Sequence, residues 1–250
     1  LSSLRAILSG GAPIAPELVR SIIETFGCEY VQTYGMTETS PYLTLSLLAP
    51  HLRELPPEEQ LAYKARTGRP FAAVELRVVD EQGRDVARDD RQVGEIWVRG
   101  PTVTPGYWNR PEETRKAFAD GWLKTGDLAT VEAQGYVNIV DRKKDMIITG
   151  GENVYPTEVE EAVASHECVF DCAVVGLPDD KWGEQVAAVV VTKPGMDTES
   201  ITDEDIIRCC KGRLAGYKRP KKVFFIDEAD MPRTPTGKIL HRKLRDKFSK

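Results

Sequence analysis

Apolar positions along this chain follow two periods, and the switches between them mark three stretches. In "SLRAILSGGAPIAPELVRSIIETFG" a short apolar run meets a Gly-Gly-Ala-Pro turn. Leu18, Val19, Ile22, Ile23 and Phe26 then recur at the three-and-four spacing of an amphipathic helix. "CEYVQTYGMTET" returns to a strand pattern and runs into a polar turn, so residues 1–55 read as a β-loop-α-β unit. The Pro-rich "LPPEEQLAYKARTGRP" reads as a connector. From residue 65 to 141 the period is two: "VELRVVD", "GEIWVRG" and "GYVNIVD" predict short strands separated by the turns "EQGR" and "EAQG". That pattern suits a small antiparallel barrel or a curled sheet, with "RPEETRKAF" as a short helix inside it. Residues 142–250 alternate strand and helix patterns. "MIITGGENVYP", "CAVVGLP", "EQVAAVVVTK" and "KVFFID" read as strands; "PTEVEEAVASH", "TDEDIIRCCKGRLAG" and "ILHRKLRDKF" read as helices. The predicted fold is therefore mixed: an α/β opening with a β subdomain (1–141), then a small α+β domain (142–250).

Composition adds boundaries to this picture. With 250 residues, 41% hydrophobic and 29% charged, the chain can bury two ordinary cores. No apolar run approaches the roughly 20 residues that span a bilayer, and the start lacks the basic and apolar regions of a signal peptide. Five cysteines without a repeated CxxC pair predict reduced, mostly buried thiols in a cytoplasmic protein. Three scattered histidines exclude a metal site built on His and Cys. The net charge of −5 is unevenly spread: residues 211–250 carry 13 Lys and Arg against 4 Asp and Glu, a local +9 that leaves −14 for the rest. Such a basic tail is a solvated helix face or a meeting place for phosphates. Nucleic acid ranks low, since aromatic stacking residues are few and no recognition motif is present.

Five segments carry candidate chemistry. "SGGAP" (Ser9–Pro13) ends a strand and opens a helix, where exposed N–H groups can meet the polar atoms of a nucleotide. In "TYGMTET", Tyr34 offers a ring for stacking on a base, and Gly35 lets the backbone approach a ligand. Thr37 and Thr39 can donate to phosphate oxygens, and Glu38 can hold Mg²⁺. "GWLKTGDLA" places Asp127 after a glycine, where a carboxylate could accept both hydroxyls of a ribose or simply satisfy a turn. "DRKKD" puts five charges between two apolar strands, as a hinge or an ordinary hairpin turn would. "PRTPTGKIL" uses two prolines and a glycine to shape a loop with Lys238 at its tip.

Together and in this order, "SGGAP", "YGMTETS", "GWLKTGD", "YVNIVDRKKDMIITGGENVYPTEVE" and "PRTPTGK" resemble the adenylate-forming superfamily: acyl-CoA synthetases, luciferase-like enzymes and peptide-synthetase adenylation domains. The resemblance covers essentially the whole chain. It implies that Gly10, Gly11, Ala12 and Pro13 line an adenine pocket, and that Tyr34, Gly35 and Met36 bind the nucleotide with Tyr34 stacked on the base. Thr37 would touch the α-phosphate and Glu38 would hold Mg²⁺. Asp127, helped by Arg142, would bind the ribose. Lys144 would be the hinge, Gly150 and Gly151 would admit the pantetheine arm of coenzyme A, and Lys238 would reach the carboxylate and α-phosphate. The implied partners are ATP (released as AMP), CoA and a carboxylic acid.

One family feature is missing. No Gly/Ser/Thr-rich phosphate loop precedes "SGGAP", so the chain reads as the C-terminal half of a synthetase, with little or no turnover expected from these residues alone. "APHLRELPPEEQLAYKARTGRP" favours a medium- or long-chain fatty acid, while "GGENVYPTEVE" is shared with aryl-acid ligases. A carrier-protein-loading adenylation enzyme and a non-enzymatic nucleotide- or partner-binding module remain open at this stage, as does a homo-oligomer.

Overall fold

A computed structural model describes residues 3–196, 201–235 and 237–249, and the chain divides into two compact units between Val140 and Asp141.

The first unit opens with strand β1 (Ala6–Gly10), helix α1 (Pro16–Phe26) and strand β2 (Glu29–Gly35), and β1 pairs with β2 in parallel. Pro16 starts α1 where its missing N–H costs nothing, and Gly27 ends it in the left-handed conformation, donating its N–H to the Ile23 carbonyl. Val19 is fully buried, and Ile22 and Ile23 join it against Tyr30 and Leu61. Leu18 and Phe26, expected on the same face, are exposed. At about 100° per residue Leu18 is turned off the Val19 line, and Phe26 lies in the last turn. Antiparallel strands β3 (Tyr42–Leu45) and β4 (Arg69–Pro70) complete a sheet of order β1-β2-β3-β4.

The predicted connector contains a helix, α2 (Pro57–Lys64). Pro57 occupies its first turn with Glu58 and Glu59, where acidic groups favour the helix dipole, and Leu61 is buried. The prolines mark the helix start here rather than a break.

A second sheet follows: β5 (Glu75–Val79), β6 (Gly94–Arg99), β7 (Phe118–Ala119), β8 (Trp122–Val131) and β9 (Val137–Arg142), in the order β5-β6-β8-β7 with β9 also on β8. Its strand order does not close on itself among the described residues. Ile96, Val98, Leu123, Ala129 and Val137 form its core with Leu43 from the first sheet. Helix α3 (Pro111–Ala117) precedes β7.

The second unit contains the hairpin β10 (Ile147–Thr149) and β11 (Glu152–Val154), α4 (Pro156–Ala164), and the long antiparallel pair β12 (Val169–Asp179) and β13 (Gly183–Thr192). After these come α5 (Asp203–Cys209), β14 (Lys222–Phe225) and α6 (His241–Phe248). The strand order is β11-β10-β13-β12, with β14 parallel to β13. Val174, Val186, Ala188 and Val190 face Val159, Val163 and Ile206, while Val175, Leu177, Val189 and Val191 face Met231 and Leu244. Burial on both faces explains the unbroken apolar runs of β12 and β13. The five cysteines are free thiols, all but Cys209 buried, and burial pushes Cys210 up to about 12. Among the described residues no helix is long and apolar enough to cross a membrane.

Candidate functional site

In the first unit the loop Gly10–Pro13 is exposed, and its shape comes from β2. The buried Gln32 side chain donates to the Ala12 carbonyl at 2.7 Å and accepts from the Tyr30 hydroxyl at 2.6 Å. Thr33 Oγ1 donates to the Ser9 carbonyl at 3.0 Å. Sequence reading passed over Gln32; a polar residue in the middle of an apolar strand was the available signal.

Tyr34 and Asp127 come from different sheets and meet: the Tyr34 hydroxyl donates to Asp127 Oδ2 at 2.6 Å, with both side chains half-buried. Asp127 was expected after a glycine at the edge of the β region. It lies within β8, between Lys124 and Leu128 where the register with β6 shifts, its N–H donating to Thr125 Oγ1 at 3.1 Å. Gly35 has an internal reason to be glycine, because a Cβ there would stand 1.7 Å from the Pro41 carbonyl oxygen.

The turn after β2 corrects one expectation. Thr39 is fully buried; its hydroxyl lies 2.9 Å from both the Met36 and Pro41 carbonyls, to either of which its single hydrogen can donate, and accepts from the Met36 N–H. It shapes the turn and offers nothing to a phosphate, whereas Thr37 is exposed. Between them Glu38 is half-buried, and its Oε1 accepts from the Tyr107 hydroxyl at 2.9 Å. Burial, then the acceptor carboxylate, pushes the Tyr107 hydroxyl up, so Tyr107 remains a protonated donor at neutral pH. The Glu38 carbonyl also accepts from the Thr104 N–H at 2.7 Å. Neither Tyr107 nor Thr104 carried a signal in the sequence.

No cluster of three or more metal-ligating side chains exists among the described residues. A Mg²⁺ ion keeps several waters and binds through one or two carboxylates together with substrate phosphates. Glu38, with Tyr107 donating to one of its oxygens, is a carboxylate that could hold one.

In the second unit Arg142 and Lys144 are exposed at the turn after β9. Asp141, beside them, is buried; it accepts from the Arg142 N–H at 2.6 Å and from the N–H and hydroxyl of Thr157, both at 2.9 Å. Burial raises its carboxyl despite these donors, and Glu160 adds to the rise. Gly150 and Gly151 form the β10–β11 turn with φ of 61° and 85°, the paired left-handed conformation of a two-residue hairpin. A Cβ on Gly150 would also meet the Trp182 ring at 2.9 Å. Lys238 is exposed on a closed loop: the Thr234 N–H donates to its carbonyl at 2.8 Å, and its own N–H donates to Thr234 Oγ1 at 3.1 Å. Its ammonium has no carboxylate partner among the described residues. Behind the loop, His241 Nε2 donates to Glu160 Oε1 at 2.9 Å.

The chain belongs to the adenylate-forming family. Residues 1–108 match the AMP-binding enzyme model, and residues 158–238 match that of the AMP-binding enzyme C-terminal domain. A long-chain-fatty-acid–CoA ligase of Yersinia pestis is 41% identical over 98% of this chain and 40% of its own length. A feruloyl-CoA synthase of an Amycolatopsis species is 42% identical over 99% of this chain and 47% of its own. Among solved structures, the o-succinylbenzoate CoA synthetase of Bacillus subtilis, in complex with its acyl-adenylate intermediate, superposes with a TM-score of 0.81. It is 35% identical over 98% of this chain and 47% of that one. The chain thus spans less than half the length of these relatives.

Proposed function

We propose that this chain is the C-terminal portion of an ATP-dependent acid–thiol ligase, which joins a carboxylic acid to CoA through an acyl-adenylate and releases AMP and pyrophosphate. In this reading Tyr34 and Asp127 hold the nucleoside, Thr37 touches the α-phosphate, and Glu38 holds Mg²⁺, which would neutralise phosphate charge. Arg142 assists at the ribose, Lys144 is the hinge, and Gly150–Gly151 face the pantetheine arm. The observation that carries the proposal is Lys238: an exposed ammonium, unpaired among the described residues, on a backbone closed by its own hydrogen bonds. Carboxylate and triphosphate repel each other, and a fixed cation offsets that repulsion as charge builds in the transition state. The substrate class is a carboxylic acid; relatives of similar identity act on fatty and on aromatic acids, which supports the two alike.

The test is Lys238→Ala in the complete ligase. Acyl-adenylate formation, followed by pyrophosphate exchange over a panel of fatty and aryl acids, should fall by about 10² to 10³, or roughly 3–4 kcal/mol. Formation at the unmodified rate overturns the reading.

A further inference from the structure

The sequence marks Lys238 but says nothing of what aims it. Four residues before Gly237, Arg233 reaches in two directions. Its Nη2 pairs with Asp171 Oδ2 on β12, and its Nη1 donates to the Gly237 carbonyl, immediately before Lys238, at 2.8 Å. The other oxygen of Asp171 accepts from the Cys172 N–H at 2.9 Å, so the carboxylate is held from behind. β12 carries an extra residue between Val169 and Asp171, a bulge at the point from which Asp171 projects. Backbone bonds complete the arrangement: Arg233 bridges Ile239, and the Leu240 N–H donates to the Pro232 carbonyl at 2.8 Å.

We propose that Arg233, anchored by Asp171, is a positioning residue for Lys238. The guanidinium links a long, doubly buried strand to the peptide that precedes the lysine, so the tip inherits the rigidity of β12. The planar fork suits this task, because one arginine serves a carboxylate and a carbonyl at once where an ammonium is a single point charge. Both side chains are partly exposed, at 37% and 27%, and ion pairs of this kind add little to folding stability. An effect on catalysis is therefore separable from unfolding.

The inference rests on the proposed role of Lys238, which acts when the adenylate forms and not when the thiol attacks it. In the complete ligase, Arg233→Ala and Asp171→Ala should each lower kcat for acyl-adenylate formation about 10- to 100-fold, the range a misplaced catalytic group produces. KM for ATP should change little. The double variant should be no worse than either single one, Arg233→Lys should restore only part of the rate, and Asp171→Asn serves if an alanine variant fails to fold. Thioester formation from supplied acyl-adenylate and CoA should stay within about two-fold. In this 250-residue chain, amide hydrogen exchange at Gly237 and Lys238 should quicken in Arg233→Ala. Equal losses in both half-reactions, or an unchanged first one beside a slow Lys238→Ala control, overturn the proposal. A Lys238→Ala control of normal rate instead overturns the functional reading beneath it, while the exchange measurement still reports whether the latch exists.

Discussion

Replacing Tyr34 by phenylalanine keeps the ring and removes one oxygen, which isolates the bond to Asp127. That bond is 2.6 Å long and runs from a neutral hydroxyl to a carboxylate, both half-buried. Hydrogen bonds to charged groups contribute about 1.5–3 kcal/mol when sheltered, and partial solvent access places this one near the lower figure. Asp127 lies on a ten-residue strand and cannot travel far, so the loss appears as a wider spread of carboxylate rotamers. If Asp127 accepts the ribose hydroxyls, Tyr34→Phe should weaken AMP binding by about ten-fold, equivalent to ~1.4 kcal/mol. Asp127→Ala should weaken it more, since it removes the acceptor itself. The decisive measurement is the cycle: with Asp127 already alanine, Tyr34→Phe should add almost nothing. Calorimetric titration of AMP into the complete ligase supplies all four affinities. Additive losses would show that Tyr34 contributes through its ring alone, and the coupling argued here would be wrong.

Two further perturbations test the scaffold around the site. Tyr136 is fully buried, donating to the Leu47 carbonyl at 2.7 Å and accepting from the Ala49 N–H at 2.9 Å; Tyr136→Phe strands both backbone groups and should cost about 1–3 kcal/mol in urea unfolding. His241 is subject first to burial, which lowers its pKa, but Glu160, Asp145 and Asp141 outweigh that and the net direction is upward. A raised imidazole contributes stability that is complete below its ordinary value of about 6.5 and is lost as pH climbs through the folded-state value. The second unit should therefore unfold more readily as pH rises above about 6.5 and through the raised imidazole value, and His241→Gln should flatten that dependence in thermal melts followed by circular dichroism.

The local geometry of the candidate segments is legible in the sequence because each motif is a local solution to a local problem. Gly150–Gly151 needs two left-handed residues for its hairpin, and "PRTPTGK" contains the turn-formers that close its own loop. The parts that could not be read are long-range. Asp127 follows a glycine that could equally mark a simple turn, and the structure places both within β8, in the stretch between Lys124 and Leu128 where the register with β6 shifts. Thr39 looked equivalent to Thr37 until the chain folded back and gave its hydroxyl to Pro41. Gln32, Tyr107 and Asp171 act across 20, 69 and 62 residues of chain, and no window of local sequence contains both ends of such a contact. The helix at Pro57 is hidden differently: the Pro-rich stretch reads as a connector, whereas proline in a first turn is well suited to begin a helix.

The bonds that shape the Lys238 loop come from Thr234, Arg233, Pro232 and Asp171, all of the second unit. A cation aimed by residues of its own unit keeps its geometry whatever that unit is doing, so presenting or withdrawing it requires no remaking of the loop. A lysine held in place by groups from the first unit would have to be aimed afresh each time it returned, and the ordering entropy would be incurred at the moment of reaction. If the second unit moves as a body in the complete ligase, the tip travels with it already shaped. This is why the Arg233 variants should slow adenylate formation through kcat, whereas changes at the exposed Lys144 turn, if it is the hinge, should disturb both half-reactions together.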